Sequence, residues 1–169
     1  MKTDSHPKGG PQPEALDIEK LDIKHILVPV DFSERSLKML RRAAAFATHF
    51  AARVTLLYVV ESPSALALVD VPIALDDEKL ARMAKRKLEV LAKPRPGGPK
   101  LDVRTMVRAG KPFQEICNAA QELKVDLLII ATHGYTGVEH VLLGSTAERV
   151  VRHATCPVLV CRAAACETK

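Results

Sequence analysis

A parallel α/β fold is predicted by three features of this chain. Apolar runs of strand length recur along it, amphipathic stretches of helix length alternate with them, and the runs are almost continuously apolar instead of alternating with polar residues. A strand that is apolar on both sides must be covered on both sides. Five such strands and four helices therefore make a three-layer α/β sandwich, a parallel sheet with helices on both faces.

Residues 1–22 precede the pattern. With three prolines, a Gly-Gly pair and mixed charges they offer too little apolar surface to fold alone, and they are expected to form a flexible N-terminal tail. The folded domain is placed at 23–163 and a short C-terminal tail at 164–169. Strand one is Ile26 to Val30. Asp31 or Ser33 can cap the helix that follows, in which Leu37, Leu40, Ala44 and Ala47 recur at helical spacing. Strand two is Val54 to Val60. The stretch Glu61 to Leu75 carries two prolines and is too long for a tight connection, which makes it a candidate lid or partner surface. Helix two starts near Asp76 with acidic residues in its first turn. Leu80, Met83, Ala84, Leu88 and Leu91 form its apolar face, and the Pro/Gly-rich segment 93–99 stops it. Strand three is Leu101 to Val107. Helix three opens at Pro112, a favoured first helical residue, and turns Phe113, Ile116, Cys117 and Ala120 inward. Strand four is Leu127 to Ile130, helix four Ser145 to about His153, and strand five Val158 to Cys161.

Composition narrows the function. A chain of 169 residues with 47% apolar and 27% charged residues suits one globular domain. The formal net charge is +5, but the basic residues are scattered. Only Lys85-Arg86-Lys87 cluster, on what reads as a solvated helix face, and aromatic residues make up 4%, so no nucleic acid is expected as partner. No apolar run has the length of a membrane helix and no signal-peptide pattern opens the chain, so the expected location is cytoplasmic, with no membrane partner. Cys117, Cys156, Cys161 and Cys166 lack zinc-site spacing, and His133, His140 and His153 complete no metal constellation with them. The first three cysteines are expected to be mostly buried, reduced thiols.

The segment 126–160, DLLIIATHGYTGVEHVLLGSTAERVVRHATCPVLV, carries the functional signal. A buried strand ends in a loop bearing Gly134, and Gly144-Ser145-Thr146 then open a helix. The first N–H groups of a helix lack intrahelical partners and carry the positive end of its dipole, so an anion is stabilised there. Gly144 lets backbone approach, and the Ser145 and Thr146 hydroxyls add donors. A second reading of the same residues needs no ligand: Ser145-Thr146-Ala147-Glu148 matches a capping box, with Ser145 as cap and Glu148 reaching back.

Gly134, nine residues, then Gly144-Ser145 resembles the nucleotide loop of the universal stress protein family. Ile26-Leu27-Val28-Pro29-Val30-Asp31-Phe32-Ser33 is similar to that family's first strand with the acidic residue at its end, and Thr155 to Val160 to its last strand. The resemblance covers roughly His25 to Arg162. One residue departs from the pattern: its first glycine is Ala131 here.

The resemblance implies strand order 3-2-1-4-5, an adenine-nucleotide alpha hydrolase-like fold, and ATP in a cleft between strands one and four. Asp31 would contact adenosine, the main chain of Val59 would bond adenine, and Ile130 and Ala131 would flank base and ribose. His133, Gly134, Gly144, Ser145 and Thr146 would surround the phosphates. Without that resemblance, Asp31 reads equally as a helix cap and His133 as a solvated loop residue. Neither a P-loop lysine nor a Gly-x-Gly-x-x-Gly fingerprint is present, and Thr132-His133-Gly134-Tyr135 lacks the His-x-Gly-His of adenylate-transferring relatives. No catalytic residue and no dedicated metal ligand set is identified; Asp31 would at most help hold Mg2+ through water. The expected function is an ATP-binding, nucleotide-responsive stress regulatory module with slow hydrolysis at most and an unknown protein partner. A nucleotide-independent interaction module of the same fold is the alternative. The edge strand at 157–162 is expected to pair antiparallel with a second copy, and the resemblance implies the same homodimer.

Overall fold

The computed structural model of the chain describes residues 21–61, 77–94, 96–132 and 144–162. Within them run β1 (His25–Pro29), α1 (Glu34–Phe50), β2 (Arg53–Val60), α2 (Asp77–Ala92), β3 (Val103–Ala109), α3 (Pro112–Glu122), β4 (Leu127–Thr132), α4 (Ser145–His153) and β5 (Val158–Arg162). All pairings are parallel and the sheet order is β3-β2-β1-β4-β5. The tails and the proposed lid at 61–75 lie outside the described residues, except Leu21, Asp22 and Glu61.

Side-chain alternation sorts the apolar strands onto two cores. Ile26, Val28, Val54, Leu56, Leu127 and Ile129 pack with Met39, Ala43 and Ala47 of α1 and Leu88 of α2. Leu27, Leu57, Leu128 and Ile130 pack with Ile116, Ala119 and Ala120 of α3 and Ala147 and Val150 of α4. This is why the strands read as continuous apolar runs. Each fully buried Leu or Ile among them contributes about 1.5–3 kcal/mol of burial free energy.

Three local expectations are corrected. The inward line of α1 is Ser36, Met39, Ala43 and Ala47, displaced by one residue from the Leu37 and Ala44 positions; Leu37 remains 37% exposed. The Ser33 cap sets this phase. Its Oγ accepts the Ser36 N–H at 3.2 Å, and the Ser36 hydroxyl donates to the Ser33 carbonyl at 3.0 Å, which satisfies a buried polar side chain. On α2, Ala84 and Leu88 are buried, whereas Leu80 and Met83 face the cleft described below. Strand three begins at Val103, two residues later than predicted, because Leu101 and Asp102 lead into the sheet edge; the Asp102 carbonyl accepts the Val54 N–H at 2.9 Å.

The centre of the sheet is joined unevenly. At its lower end the Asp126 carboxylate accepts the N–H groups of Lys24 and His25, each at 2.9 Å, and the Asp126 N–H donates to the His25 carbonyl. Above that, β1 and β4 pair only through Ile26 with Leu127 and Leu27 with Leu128, whereas β1 stays in register with β2 over five residues. The Val30 N–H still donates to Leu57 at 2.8 Å, so β1 leans toward β2 as it rises. The two central strands thus part toward their carboxyl ends, where the crossovers also change face: α1 and α2 cover one side, α3 and α4 the other. A sheet opened at its switch point is where α/β folds bind ligands.

Candidate functional site

The gap between β1 and β4 widens into a cleft of about 960 Å³. Its lining brings together Asp31, Val59, Ile130, Ala131, Gly144, Ser145 and Thr146, seven of the nine positions singled out in the sequence. His133 and Gly134 lie outside the described residues.

Asp31 follows β1 and is exposed at the cleft wall. Its Oδ1 accepts the Ser33 N–H at 2.9 Å, a short turn that sets up the helix, and Ser33, not Asp31, is the cap of α1. Between them Phe32 takes φ 60°, a left-handed conformation uncommon for a bulky residue and held here by packing. Its ring lies 4.8 Å from that of Tyr58, and the Lys87 ammonium sits 5.2 Å from its centre. Val59 stands at the top of β2, opposite Arg108 of β3. Its side chain packs toward α3 and α4 while that of Tyr58 packs toward α1 and α2.

On the far wall, Ile130 is buried on the α3/α4 side and Ala131 turns its methyl toward the α1/α2 core. The residue at the departing position thus packs on that side while still lining the cleft. Above it, Gly144 is the N-cap of α4 with φ −52° and ψ 143°, and among the described residues no side-chain cap bond is made to the helix. The capping box does not form. Ser145 is the first helical residue instead of the cap, and the Glu148 carboxylate accepts from Arg152 at 2.7 Å rather than reaching back. Among the described residues the start of α4 therefore offers backbone N–H groups and the Ser145 and Thr146 hydroxyls, all bordering the cleft.

Sequence reading missed part of this lining. Arg35, Phe32, Tyr58, Leu80, Met83, Lys87 and Pro112 also face the cleft. For Lys87 a signal was present: four residues to either side stand Met83 and Leu91, whereas Lys85 has Glu89 at that spacing. Among the described residues no group of three or more His, Cys, Asp or Glu side chains is arranged to hold a metal ion, which leaves Asp31 as a candidate contributor to a nucleotide-borne one. Cys117 and Cys156 are half-buried and Cys161 is buried. Burial pushes the Cys117 and Cys156 thiols up from their ordinary pKa, which disfavours a nucleophilic thiolate. No helix among the described residues is long and apolar enough to cross a membrane.

Comparison with known proteins matches residues 22–162 to the family described as "Universal stress protein family". Universal stress protein MJ0531 of Methanocaldococcus jannaschii is 38% identical over 141 residues, which is 81% of either chain. The solved structure of protein MJ0577 from the same archaeon matches with TM-score 0.68 at 33% identity, covering 83% of this chain and 96% of that one. A universal stress protein solved in complex with cAMP shares the fold at 22% identity and TM-score 0.57, covering 84% of this chain and 98% of its own.

Proposed function

The chain belongs to the universal stress protein family, and on that premise we propose that its β1/β4 cleft binds an adenine nucleotide, ATP with Mg2+ foremost, and that the protein acts as a cytoplasmic, nucleotide-responsive regulatory module. The observation that carries this reading is the uncapped start of α4 bordering a cleft of nucleotide size. In the proposed pose, phosphates meet the α4 N–H groups together with Ser145, Thr146, Gly144, His133 and Gly134. Ile130 and Ala131 flank base and ribose, Asp31 contacts the adenosine, and the Val59 main chain bonds adenine. The cAMP complex of a relative shows that the fold accommodates an adenine nucleotide in that protein.

Turnover is not the proposed role. Among the described residues no candidate general base lines the cleft beside the α4 start, and its carboxylates are Asp31 and Glu61. Hydrolysis is expected to be far below the enzyme median of roughly 10 per second, and a phosphate-release assay at that rate would contradict the reading. Two copies are proposed to pair through strand 157–162, whose Val158, Leu159 and Val160 are half-buried at the sheet edge. A protein partner would then read the nucleotide state of the dimer.

Ala131, where the family pattern has glycine, favours a second reading, a nucleotide-independent interaction module. Titration calorimetry separates the two. Heat and a thermal upshift with ATP and Mg2+ support the nucleotide reading; their absence at millimolar ATP transfers the assignment to the interaction module.

A further inference from the structure

Three basic residues of this protein's helices are matched by acids one turn away. Lys38 pairs with Glu34 at 2.8 Å, Arg82 with Glu78 at 2.9 Å and Arg152 with Glu148 at 2.7 Å. Lys87 is different. Its neighbours one turn away along α2 are Met83, Ala84, Val90 and Leu91, its ammonium rests over the Phe32 ring, and it makes no salt bridge among the described residues. It also lines the cleft, from the helix layer on the other sheet face from α4. A cation over an aromatic face gains little where water still reaches it. A hydrogen bond to an ionised phosphate is stronger, so a phosphorylated ligand competes favourably for this cation.

The cleft's charge balance points the same way. Among its described lining residues, Asp31 and Glu61 are opposed by Arg35 and Lys87. Without Lys87 the lining carries a net negative charge toward a ligand that is itself an anion.

Building on the nucleotide-binding reading, we propose that Lys87 is a specificity-determining residue of the cleft: its ammonium, which rests over Phe32, turns to the anionic part of the bound nucleotide, so that affinity rises with the number of phosphates. Lys85 and Arg86, its neighbours in the basic triplet, face Glu89 in sequence spacing, do not line the cleft and take no part. Placing the charge reader on α2 also ties that helix to ligand charge, since Ala84 and Leu88 anchor α2 to the sheet on the same side of the fold.

The test is calorimetric, on the full chain, with ATP plus Mg2+, AMP and adenosine as probes. Lys87→Gln is expected to weaken ATP about tenfold, AMP less, and adenosine not at all. Lys87→Arg restores ATP to within about twofold, and Lys85→Gln, which removes the same charge outside the cleft, leaves all three unchanged. An equal loss for the three probes marks a packing role and overturns the proposal, as does an unchanged ATP affinity in Lys87→Gln or an equal effect of Lys85→Gln. Wild type that binds none of the probes overturns the nucleotide reading itself and the Lys87 assignment with it; binding by wild type with no charge ranking overturns the Lys87 assignment alone.

Discussion

Replacing Gly144 by Asp is expected to make the protein more stable and a worse nucleotide binder, two effects of opposite sign from one side chain. The backbone at 144 has φ −52° and ψ 143°, a conformation open to any L-residue and normal for an N-cap, so no left-handed strain stands in the way. Three gains apply. An Asp cap over Gly contributes a few tenths of a kcal/mol, the loss of glycine's freedom in the unfolded chain about 0.4–1 kcal/mol, and a negative charge at the helix start about 0.3–1 kcal/mol. Together they amount to about 1–2 kcal/mol, and each kcal/mol raises Tm by about 2–4 °C for a chain of this size. The same carboxylate occupies the N–H groups proposed for phosphate and repels it, so ATP affinity should fall at least about tenfold, or 1.4 kcal/mol. Differential scanning fluorimetry and titration calorimetry on one preparation read both effects. A lower Tm refutes the reading of Gly144 as an open cap. A raised Tm with unchanged ATP affinity refutes the start of α4 as the phosphate site.

Ala131→Gly is expected to leave ATP affinity within about twofold and to cost about 0.5–1 kcal/mol in urea unfolding, because the methyl packs toward the α1/α2 core and glycine adds strand entropy; a clear tightening would show the methyl crowding ligand instead. His25, bonded through Nε2 to Thr55 Oγ1 at 2.8 Å, has its pKa held below the ordinary value first by burial. The unfolded chain therefore takes up this proton first, and stability contributed by neutral His25 is present above about pH 6.5 and lost as pH falls below it. Thermal melts of wild type and His25→Gln should converge between pH 7.5 and 5.5, a window above that in which Glu34, Asp102 and Glu122, whose pKa values their cationic partners lower, lose theirs; parallel curves would rule the histidine out. Wild type at micromolar concentration should scatter light as twice the chain mass, with Leu159→Pro shifting it toward the monomer. A monomeric wild type ends the edge-pairing idea.

The strand and helix order was legible because both sheet faces are buried, which turns Ile26, Leu27 and Val28, or Leu127 to Ile130, into uninterrupted apolar runs that polar punctuation separates. The phase of α1 was not. Alanine fills so much of that helix that periodicity left two adjacent lines open, and the Ser33 to Ser36 hydrogen bonds decide between them. At the site, glycine spacing pointed to Gly144 and Ser145, yet a capping box and an anion site share one sequence pattern; only the turning of Glu148 toward Arg152 tells them apart. Lys87 carried a local signal in its apolar neighbours Met83 and Leu91, but its place at the cleft, like that of Phe32, was hidden for another reason. Which flank of an amphipathic helix meets an opening depends on how neighbouring strands diverge, and no local pattern in α2 encodes the parting of β1 from β4.

That parting has a mechanical consequence. With two residue pairs and the Asp126 clasp at one end, the middle of the sheet is expected to work as a hinge between two plates, one carrying β3, β2 and β1, the other β4 and β5. A ligand wedged at the open end sets the angle between the plates, and a lever of this kind delivers its largest displacement at the outermost strand. We expect amide exchange along β5, one strand beyond the residues proposed to flank the base, to slow when nucleotide is added; unaltered exchange there would mean that the joint is rigid. If the hinge moves, the edge proposed to meet a second copy is the one that swings, and in such a dimer occupancy of the cleft would be transmitted as a change in the angle between two subunits.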